Sequence, residues 1–378
     1  MSRTPPHKLT DQLLSWFDQA GRTNLPWRDA PCGARDPYKV WLAEVMLQQT
    51  TCAAVIPYFH AFTTKWPDVK ALAAAKSDEV MHAWAGLGYY ARARNMLKCA
   101  RVVADERQGA FPTHEDDLLT LPGIGPYTAA AITAIAFQGS AAPVDGNVIR
   151  VLTRLYAIPD IMPANKDVVG DYAVKMLPNE RSGDFAEALM DLGATVCKPK
   201  TPACAACPWQ NDCQARAAGA MTDYPKKAPK KAKPTRRGWA FWVERADGHV
   251  LLERRPEKGL LGGMVGFPTT PWQGEEITAD QAAAMMADTG TVAGTDANIK
   301  AYDVLDGLVK HTFTHFHLEL RVMKTRLDLA PEQGIWCAPD DLGAHALPSV
   351  MKKVSQLRSQ GFAKCEKGVF IGHMKAHS

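Results

Sequence analysis

The sequence predicts a chain of two parts, an all-α part followed by an α+β part. Up to residue 224, apolar residues recur at helical spacing between Gly and Pro punctuation. The stretch KKAPKKAKPTRR at 226–237 then interrupts the pattern, and after it apolar and polar residues alternate as in half-buried strands. A length of 378 residues also exceeds a typical single core, so two domains are expected.

The first part contains nine segments whose apolar periodicity predicts helices. Gly and Pro residues mark the ends of these segments, as expected for helix termini. The predicted helices lie near residues 9–20, 38–48, 51–65, 77–84, 91–107, 126–138, 147–156, 166–177 and 182–195.

The Pro- and Lys-rich stretch predicts a linker, because it has too little apolar surface to bury. We therefore place the first domain at 1–224, the linker at 225–237, the second domain at 238–365 and a tail at 366–378. The basic linker is suited to lie along a phosphate backbone, although simple solvation or a nuclear-import signal would need the same composition.

The second part begins with a predicted hairpin. Two β-rich segments, Trp239–Val243 and Val250–Arg254, flank the turn signal Asp247-Gly248. Further on, apolar residues at 316, 318, 320 and 322 alternate with polar ones, which predicts a half-buried strand. One or two helices complete the predicted α+β domain.

Four cysteines lie in one short segment with the spacing C-x6-C-x2-C-x5-C: Cys197, Cys204, Cys207 and Cys213. Interspersed prolines predict a loop in this segment, and four thiolates suit either a [4Fe–4S] cluster or tetrahedral zinc. We favour the cluster, because zinc sites commonly bring two C-x2-C pairs from separate arms. Disulfides fit poorly with an odd total of nine cysteines and no apolar N-terminal signal. The single cysteines Cys32, Cys52, Cys99, Cys337 and Cys365 are interpreted as core or incidental.

The run L-P-G-I-G-P-Y-T at 121–128 leads directly into an apolar helix. Gly123 and Gly125 allow the backbone to approach a ligand closely, and Pro126 suits the first helical turn. Free N–H groups at that helix start would bind a DNA phosphate without reading sequence. A simple turn between helices is the alternative interpretation.

Two carboxylates are candidates for chemistry. Asp145, in P-V-D-G-N-V at 143–148, suits the N-cap of a helix and is also available for catalysis. Glu44 lies on a predicted helix, and its neighbours at helical spacing are mainly apolar: Val40, Trp41, Leu47 and Gln48. Such a Glu is either paired with another residue or desolvated, with a raised pKa that lets it hold a proton near neutral pH.

These motifs together resemble the MutY adenine DNA glycosylases of the helix-hairpin-helix superfamily, which also includes endonuclease III. The resemblance is carried by E-V-M-L-Q-Q-T at 44–50, G-L-G-Y-Y-A-R-A-R-N at 86–95, L-P-G-I-G at 121–125, V-D-G-N at 144–147 and the four cysteines. It covers nearly the whole chain. It implies removal of adenine mispaired with 8-oxoguanine or guanine in double-stranded DNA.

The resemblance implies catalytic roles for four residues. Glu44 would protonate the adenine ring and later activate water, and Asp145 would stabilise the oxocarbenium-like sugar, with a transient adduct at C1′. Tyr127 and Asn147 would orient the site. Relatives with lyase activity carry Lys where this chain has Tyr127, so a monofunctional enzyme is expected. Pro126 departs from the Arg or Lys frequent in the family, which weakens one phosphate contact.

Adenine must leave the base stack to reach either carboxylate. By resemblance, Gln49 and Tyr89 are wedge residues with Leu47 and Thr50 nearby, and Arg28 and Glu187 belong to the pocket for the extruded base. From the residues alone, Leu47 would be assigned to the core and Tyr89 to the surface.

The second part resembles the Nudix-like domain of the same family. The segment that follows G-G-M-V-G-F-P at 262–268 reads D-Q-A-A-A-M-M and lacks the glutamates of Nudix hydrolases, so binding rather than hydrolysis is expected. Phe313, Thr314 and His315 form the turn implied to recognise 8-oxoguanine. The family commonly has Ser in place of Thr314, which keeps the hydroxyl and adds a methyl group. Strand packing is the alternative role for Phe313 and His315, with Phe316 in the core.

The remaining features limit the alternatives. The net charge of +4 is too small to indicate nucleic acid by itself, and no apolar run is long enough to cross a membrane. We expect a cytoplasmic monomer. An oxidised-nucleotide hydrolase conflicts with the missing glutamates, and a non-catalytic DNA-binding protein conflicts with the two carboxylates. A thymine-mismatch enzyme would not normally carry the lesion-reading domain.

Overall fold

The structure is a computed structural model that describes residues 4–28, 35–229, 231–256, 259–288, 302–327, 334–345 and 347–365. It divides into two compact units, Met1–Ala83 with Arg92–Lys230 and Trp84–Ala91 with Lys231–Ser378. Among the described residues, no helix has the length and hydropathy needed to span a membrane.

The first unit is all-α, as the sequence predicted. Each of the nine predicted segments contains a helix. Three short helices, α4, α7 and α12, were not predicted. The helices are α1 Pro6–Ala20, α2 Pro37–Leu47, α3 Cys52–Lys65, α4 Val69–Ala73, α5 Ser77–Ala83, α6 Ala91–Glu106, α7 Glu115–Leu119, α8 Pro126–Phe137, α9 Gly146–Leu155, α10 Asn165–Lys175, α11 Ser182–Asp191 and α12 Gln214–Ala217.

Helix α8 lies at the centre of this unit because nearly all of its residues are apolar. Residues 128–136 of this helix are all buried. A helix that is apolar on every face needs partners on several sides, and α8 packs against both α2 and α11. This packing brings the side chains of α2 and α11 to the N-terminal end of α8.

A second core joins α1, α9, α10 and α11 to the cysteine segment. Leu9 and Leu13 of α1 and Leu152 of α9 are buried there with Trp209. The Trp209 indole donates a 2.8 Å hydrogen bond to the Leu9 carbonyl. The predicted cysteine loop is therefore part of the folded core, although it has no long regular element.

The described residues of the second unit form a seven-stranded mixed sheet with the strand order β3-β2-β1-β6-β4, in which β5 also pairs with β6 and β7 also pairs with β2. The predicted hairpin is β1 and β2, and the predicted alternating strand is β6, which pairs with β1 in parallel. The strands are β1 Thr235–Arg245, β2 Val250–Arg254, β3 Val265–Gly266, β4 Tyr302–Val304, β5 Val309–Thr312, β6 His317–Leu327 and β7 Ile335–Cys337.

Both faces of this sheet are covered, so β1 is buried on both sides. Ala240 and Trp242 of β1 belong to the core cluster that includes residues of helix α14 (Ser349–Cys365). Phe241 on the opposite face packs in the cluster that includes residues of helix α13 (Ala279–Asp288). The two covered faces explain why β1 reads as a continuous apolar run rather than an alternating one.

The predicted domain boundaries differ from the structure at two places. Strand β1 begins at Thr235, inside the predicted linker 225–237, because residues 235–237 pair with His317–Glu319 of β6. Residues Trp84–Ala91 group with the second unit. Cys32, the tail 366–378 and the side chain of Cys365 lie outside the described residues.

Candidate active site and cysteine loop

Glu44 occupies the buried side of α2. The helix begins after Asp36, whose carboxylate accepts a 2.9 Å hydrogen bond from the Tyr38 N–H, and Pro37 occupies the first turn. Glu44 is only 6% exposed, as its apolar neighbours predicted. It lines a cavity of about 40 Å³ together with Arg28 and Glu187.

Tyr127, at the start of α8, contacts Glu44 directly. Its hydroxyl donates a 2.8 Å hydrogen bond to Glu44 Oε2. Burial raises the pKa of Glu44 to about 7, while this hydrogen bond acts in the opposite direction because it favours the charged form. The nearby charges of Asp145 and Glu187 raise the pKa further. Glu44 can therefore hold a proton at neutral pH.

Asp145 is the N-cap of α9, as predicted. Its Oδ1 accepts hydrogen bonds from the backbone N–H groups of Asn147 at 2.8 Å and Val148 at 2.7 Å. Its Oδ2 accepts a third, 2.8 Å bond from the side-chain amide of Asn147. The three donors and the helix N-terminus fix the carboxylate and suit a negative charge.

Arg150 connects Asn147 to the cysteine loop. Its Nη2 donates 2.7 Å hydrogen bonds to Asn147 Oδ1 and to the Gly193 carbonyl. Its Nε donates a 2.7 Å bond to the carbonyl of Cys197. A continuous chain of hydrogen bonds therefore runs from Asp145 through Asn147 and Arg150 to the first cysteine.

The candidate catalytic residues open onto one cleft of about 930 Å³. Glu44, Tyr127, Asp145 and Asn147 line it, as do the predicted DNA-contacting residues Leu47, Gln49, Thr50, Gly123 and Gly125. The cleft and the smaller cavity share five residues, Arg22, Glu44, Leu47, Cys52 and Met190. Glu44 thus lies where the cavity meets the cleft.

The glycines of the 121–128 turn meet different requirements. Gly123 has φ +79°, which disfavours residues with a side chain, and a Cβ at this position would also lie only 2.7 Å from the Cβ of Asn95. Both the backbone conformation and the available space therefore require glycine. Gly125 is the N-cap of α8, and a Cβ at this position would meet nothing within 4 Å. The open approach to Gly125 and the free N–H groups of the first helical turn are suited to an anion.

Both predicted wedge residues have unusual backbone conformations. Gln49 has φ +58° and Tyr89 has φ +49°, in the left-handed region that non-glycine residues seldom adopt. Gln49 is exposed and Tyr89 is 48% exposed, so neither conformation is explained by core packing. Backbone strain at exposed side chains is common where a protein contacts a ligand.

A buried ionic cluster lies behind Glu44. Arg28 Nε lies 3.1 Å from Glu187 Oε1, and Arg28 also donates hydrogen bonds of 2.8 and 3.1 Å to Asp191. Arg22 adds three further hydrogen bonds to Asp191, which is fully buried. Arg35 pairs with Glu187 at 2.8 Å. These cations compensate the buried carboxylates.

The pKa values within this cluster move in opposite directions. Burial raises the pKa of Glu187 to about 7, although Arg28 and Arg35 act against it. Burial alone would also raise the pKa of Asp191, but hydrogen bonds and charge from Arg28 and Arg22 outweigh it and hold the pKa below its ordinary value. Asp191 is therefore the permanent anion of the cluster, and Glu187 is a carboxyl that can take up a proton near neutral pH.

The family resemblance pointed to Arg28 and Glu187 as pocket residues, but four further residues of this region were not predicted. Arg22, Arg35, Arg150 and Asp191 belong to no motif that the sequence singled out. The large apolar neighbours that identified Glu44 are lacking at helical spacing around Arg150 and Asp191. Arg150 has Gly146, Asn147, Thr153 and Arg154 at these positions, and Asp191 has Glu187, Ala188, Ala194 and Thr195. Their partners are distant in the sequence, so the pairing itself was not readable.

The four cysteines line one small cavity in the first unit, with Arg154 beside them. Arg154 is 2% exposed and donates hydrogen bonds to Cys197 Sγ at 3.3 Å and to the carbonyls of Lys198 and Pro199 at 2.8 Å each. Within the described ranges, no three His, Cys, Asp or Glu side chains are placed to hold a single metal ion. One zinc ion would require sulfur atoms within about 4 Å of each other, because Zn–S bonds are about 2.3 Å.

In the second unit, Phe313, Thr314 and His315 form the turn between β5 and β6, as predicted. The Phe313 N–H donates a 2.9 Å hydrogen bond to the Phe316 carbonyl, and the Lys233 ammonium donates a 3.0 Å bond to the Phe313 carbonyl. Thr314 and His315 are exposed, whereas Phe316 is buried in the core, as expected. Within this unit, Tyr89 Oη lies 3.0 Å from Thr314 Oγ1.

Comparison with known proteins identifies both parts of the chain. The family model for HhH-GPD superfamily base excision DNA repair proteins matches residues 42–169, and the NUDIX domain model matches residues 239–357. The adenine DNA glycosylase of Homo sapiens is 35% identical over 401 residues, which cover 90% of this chain and 72% of the human protein. That of Mycolicibacterium smegmatis is 42% identical over 210 residues, which cover 55% of this chain and 69% of the relative.

A solved structure supports the fold of the first unit. The structure of a thermostable thymine-DNA glycosylase matches with a TM-score of 0.52 and 28% sequence identity, over 56% of this chain and 97% of that one. The helical fold and the family matches define a DNA N-glycosylase of base excision repair. More narrowly, the chain belongs to the adenine DNA glycosylase family.

Proposed function

We propose that this protein removes adenine paired with 8-oxoguanine or guanine from double-stranded DNA and leaves an abasic site. The observation that carries the proposal is the pairing of a buried Glu44 with a helix-capping Asp145 along one cleft. One carboxyl is desolvated and the other is surrounded by N–H donors. This difference in environment suits one group to give a proton and the other to remain an anion.

Glu44 acts as the general acid. Protonation of the adenine ring weakens its bond to the sugar, and Glu44 can supply the proton because burial raises its pKa to about 7. The hydrogen bond from Tyr127 to Oε2 fixes one carboxyl oxygen and leaves Oε1 to face the base. Glu44 then becomes a carboxylate that can take a proton from the attacking water.

Asp145 stabilises the positive charge that develops on the sugar as adenine departs. Its three N–H donors hold it in place, so little reorganisation is needed at the moment of bond cleavage. The nearby carboxylate would also allow a transient adduct at C1′. Water completes the reaction at the sugar, and the products are free adenine and an abasic site.

The base reaches Glu44 from the cleft. The cavity beside Glu44 has room for about three water molecules at roughly 10–15 Å³ each, whereas a purine has ten ring and exocyclic atoms. The base therefore occupies the junction of cavity and cleft, with Arg28 and Glu187 deeper in the cavity wall. Gln49 and Tyr89 are the candidates to fill the gap that the base leaves in the stack.

The cysteine loop holds a [4Fe–4S] cluster through Cys197, Cys204, Cys207 and Cys213. The support is the single cavity that all four thiols line, with Arg154 beside them. When bound, the cluster supplies rigidity to the loop, and the reaction requires no electrons from it. Arg150 transmits that rigidity to Asn147 and Asp145.

The second unit reads the base opposite adenine through Thr314 and His315. Both side chains are exposed on a turn whose backbone is fixed by hydrogen bonds at Phe313. The Thr314 hydroxyl and the His315 imidazole offer both donors and acceptors to the edge of a base. Helix α13 carries no Glu in its described positions, which supports binding rather than hydrolysis.

The absence of an amine at position 127 makes the enzyme monofunctional. A Lys at the start of α8 would attack the sugar and form a Schiff base, whereas the Tyr127 hydroxyl is engaged with Glu44. Strand cleavage should therefore require alkali after base release. Borohydride trapping of a strong enzyme–DNA adduct would contradict this assignment.

The test is single-turnover base release from three duplexes, with A opposite 8-oxoguanine, A opposite G, and T opposite G, each with and without alkali. Alkali-dependent cleavage at A, fastest opposite 8-oxoguanine, is expected. Glu44→Gln should abolish release while mismatch binding persists. Tight binding without base loss by the wild-type protein would make it a recognition protein, and cleavage at T would point to the substrate of the thymine glycosylase whose fold it shares.

A further inference from the structure

The lesion-reading turn, Phe313–His315, is supported by a stack of side chains that includes Trp272, Phe316 and Arg255. Phe313 lies 5.8 Å from Trp272, centroid to centroid, with an interplanar angle of 29°. The Phe313 ring also packs 4.9 Å from the Phe316 ring, centroid to centroid. The guanidinium of Arg255 lies over the Trp272 ring, 5.0 Å from its centroid. All four residues belong to the second unit.

The position of Trp272 is fixed by its contacts with strand β1. Residue 273 pairs with Arg237 of β1 through hydrogen bonds of 2.7 and 3.1 Å, which fixes the backbone beside Trp272. Gly238 of β1 leaves room for the indole, because a Cβ at this position would lie 3.0 Å from Trp272 Cδ1. The position of the Trp272 ring is therefore set by the sheet rather than by the turn it supports.

Arg255 is fixed independently of the turn. Its backbone N–H donates a 2.9 Å hydrogen bond to the Met264 carbonyl, and its Nη1 donates a 3.3 Å bond to Thr269 Oγ1. Burial lowers the pKa of Arg255, but an arginine stays charged and can still attract the face of the indole. The cation adds to the stack without depending on Phe313.

We infer that Arg255 and Trp272 form a platform that fixes the Phe313–His315 turn and thereby sets the preference for 8-oxoguanine over guanine. This inference rests on the lesion-reading role proposed above and adds to it two positioning residues. Thr314 and His315 are exposed and lie outside the stack, so the backbone at Phe313 sets where they are placed. The 3.0 Å contact with Tyr89 Oη acts on the Thr314 hydroxyl in addition. Phe313 is held by Lys233 at its carbonyl and by the platform at its ring.

The indole of Trp272 acts here through its ring and not through its N–H. Trp272 Nε1 is buried and has no hydrogen-bond partner among the described residues. A phenyl ring at this position would keep the stacking surface and remove an unsatisfied donor, whereas an aliphatic side chain would remove the stack. Trp272→Phe and Trp272→Leu therefore separate stacking from simple burial.

The experiment measures the ratio of single-turnover rates with A opposite 8-oxoguanine and A opposite G. In Trp272→Leu this ratio should fall about fivefold, the fold-change equivalent to roughly 1 kcal/mol of lost stacking. The rate with A opposite G should change little. Trp272→Phe should keep the wild-type ratio, and Arg255→Met should lower it about twofold.

The chain provides a matched control in Trp336, which is also partly buried and carries Arg245 at 5.2 Å from its ring, but packs in the cluster on the other sheet face. Trp336→Leu should leave the ratio unchanged. Replacing both reading residues, Thr314→Ala with His315→Ala, separates the platform from the lesion-reading role. If this double variant lowers the ratio while folded Trp272→Leu and Arg255→Met do not, the platform alone is refuted. If the double variant leaves the ratio unchanged, the lesion-reading role itself fails. Circular dichroism verifies folding, and Arg255→Met still provides the test if Trp272→Leu does not fold.

Discussion

Removing the Tyr127 hydroxyl should make base release less sensitive to alkaline pH, even though it removes a contact to Glu44, the proposed catalytic acid. In the wild-type protein the hydroxyl donates a 2.8 Å hydrogen bond to Glu44 Oε2. That bond is stronger to the carboxylate than to the neutral carboxyl, so it holds the pKa of Glu44 below the value that burial alone would give. Tyr127→Phe removes this restraint.

The size of the shift follows from the energy of such a bond. A hydrogen bond to a charged group contributes about 1.5–3 kcal/mol and one to a neutral group about 1 kcal/mol, so the difference is roughly one pKa unit at 1.36 kcal/mol per unit. The pKa of Glu44 would rise from about 7 to ~8. The ratio of the rates at pH 8 and pH 6 should then increase from about 0.1 to about 0.5.

The assay is single-turnover base release between pH 5.5 and 9.5 from a duplex with A opposite G. The basic limb of the profile should move to higher pH in Tyr127→Phe, whatever happens to the maximum rate. Tyr38→Phe is the matched control, because Tyr38 is also buried and donates a 2.7 Å hydrogen bond, but to the Trp66 carbonyl rather than to Glu44. A basic limb that stays in place or moves to lower pH would refute the assignment of Glu44 as the titrating acid.

Three further predictions concern stability and positioning. Burial raises the pKa of Glu44 to about 7, so ionisation of this carboxyl destabilises the fold as pH rises from the ordinary pKa of Glu toward 7. Glu44→Gln should therefore add roughly 3 kcal/mol to the free energy of unfolding at pH 8 and much less at pH 5. Thermal unfolding at both pH values checks this, and equal gains would contradict it. Asp191→Asn removes the buried anion that pairs with Arg22 and leaves Arg28 with Glu187 alone, so it should cost about 3 kcal/mol or more. Asp18, the exposed partner of Arg181, should cost less than about 1 kcal/mol when it is changed to Asn. Similar losses in the two variants would argue against the buried cluster. Arg150→Gln should lower the rate of base release roughly tenfold with little change in DNA binding. Arg150→Lys should restore little of that rate, because an ammonium cannot reproduce the forked guanidinium that reaches Asn147, Gly193 and Cys197. Full activity of Arg150→Gln would exclude the positioning role.

Local patterns predicted the long helices and the environment of Glu44 because both depend on near neighbours in the chain. Three of the four residues at helical spacing around Glu44 are apolar, so its burial was readable from one turn on either side. Helices α4, α7 and α12 were missed since four or five residues are too few for a periodicity to appear. The early start of β1 was missed because its partner strand lies about eighty residues further along the chain.

The ionic cluster illustrates what local patterns cannot supply. Arg22 and Arg28 precede Asp191 by 169 and 163 residues, so nothing near either end of these pairs indicates the other. The Arg255–Trp272–Phe313 stack has the same property. In both cases the fold alone brings the partners together, whereas the cysteine loop was recognisable because its four residues share one short segment.

The two carboxylates differ because of where the fold places them on their helices, and this difference explains the division of roles. Glu44 lies in the last turn of α2, away from the free backbone N–H groups of the helix N-terminus, and its only described hydrogen bond comes from Tyr127. Asp145 lies at the N-terminus of α9, where two backbone N–H groups and the Asn147 amide are available. Burial without amide donors favours the protonated acid, and a helix N-terminus favours the anion. In the proposed mechanism, the acid and the anion are thus distinguished by backbone position before any substrate arrives. Exchanging the surroundings of the two side chains should then abolish base release, although both carboxylates would remain.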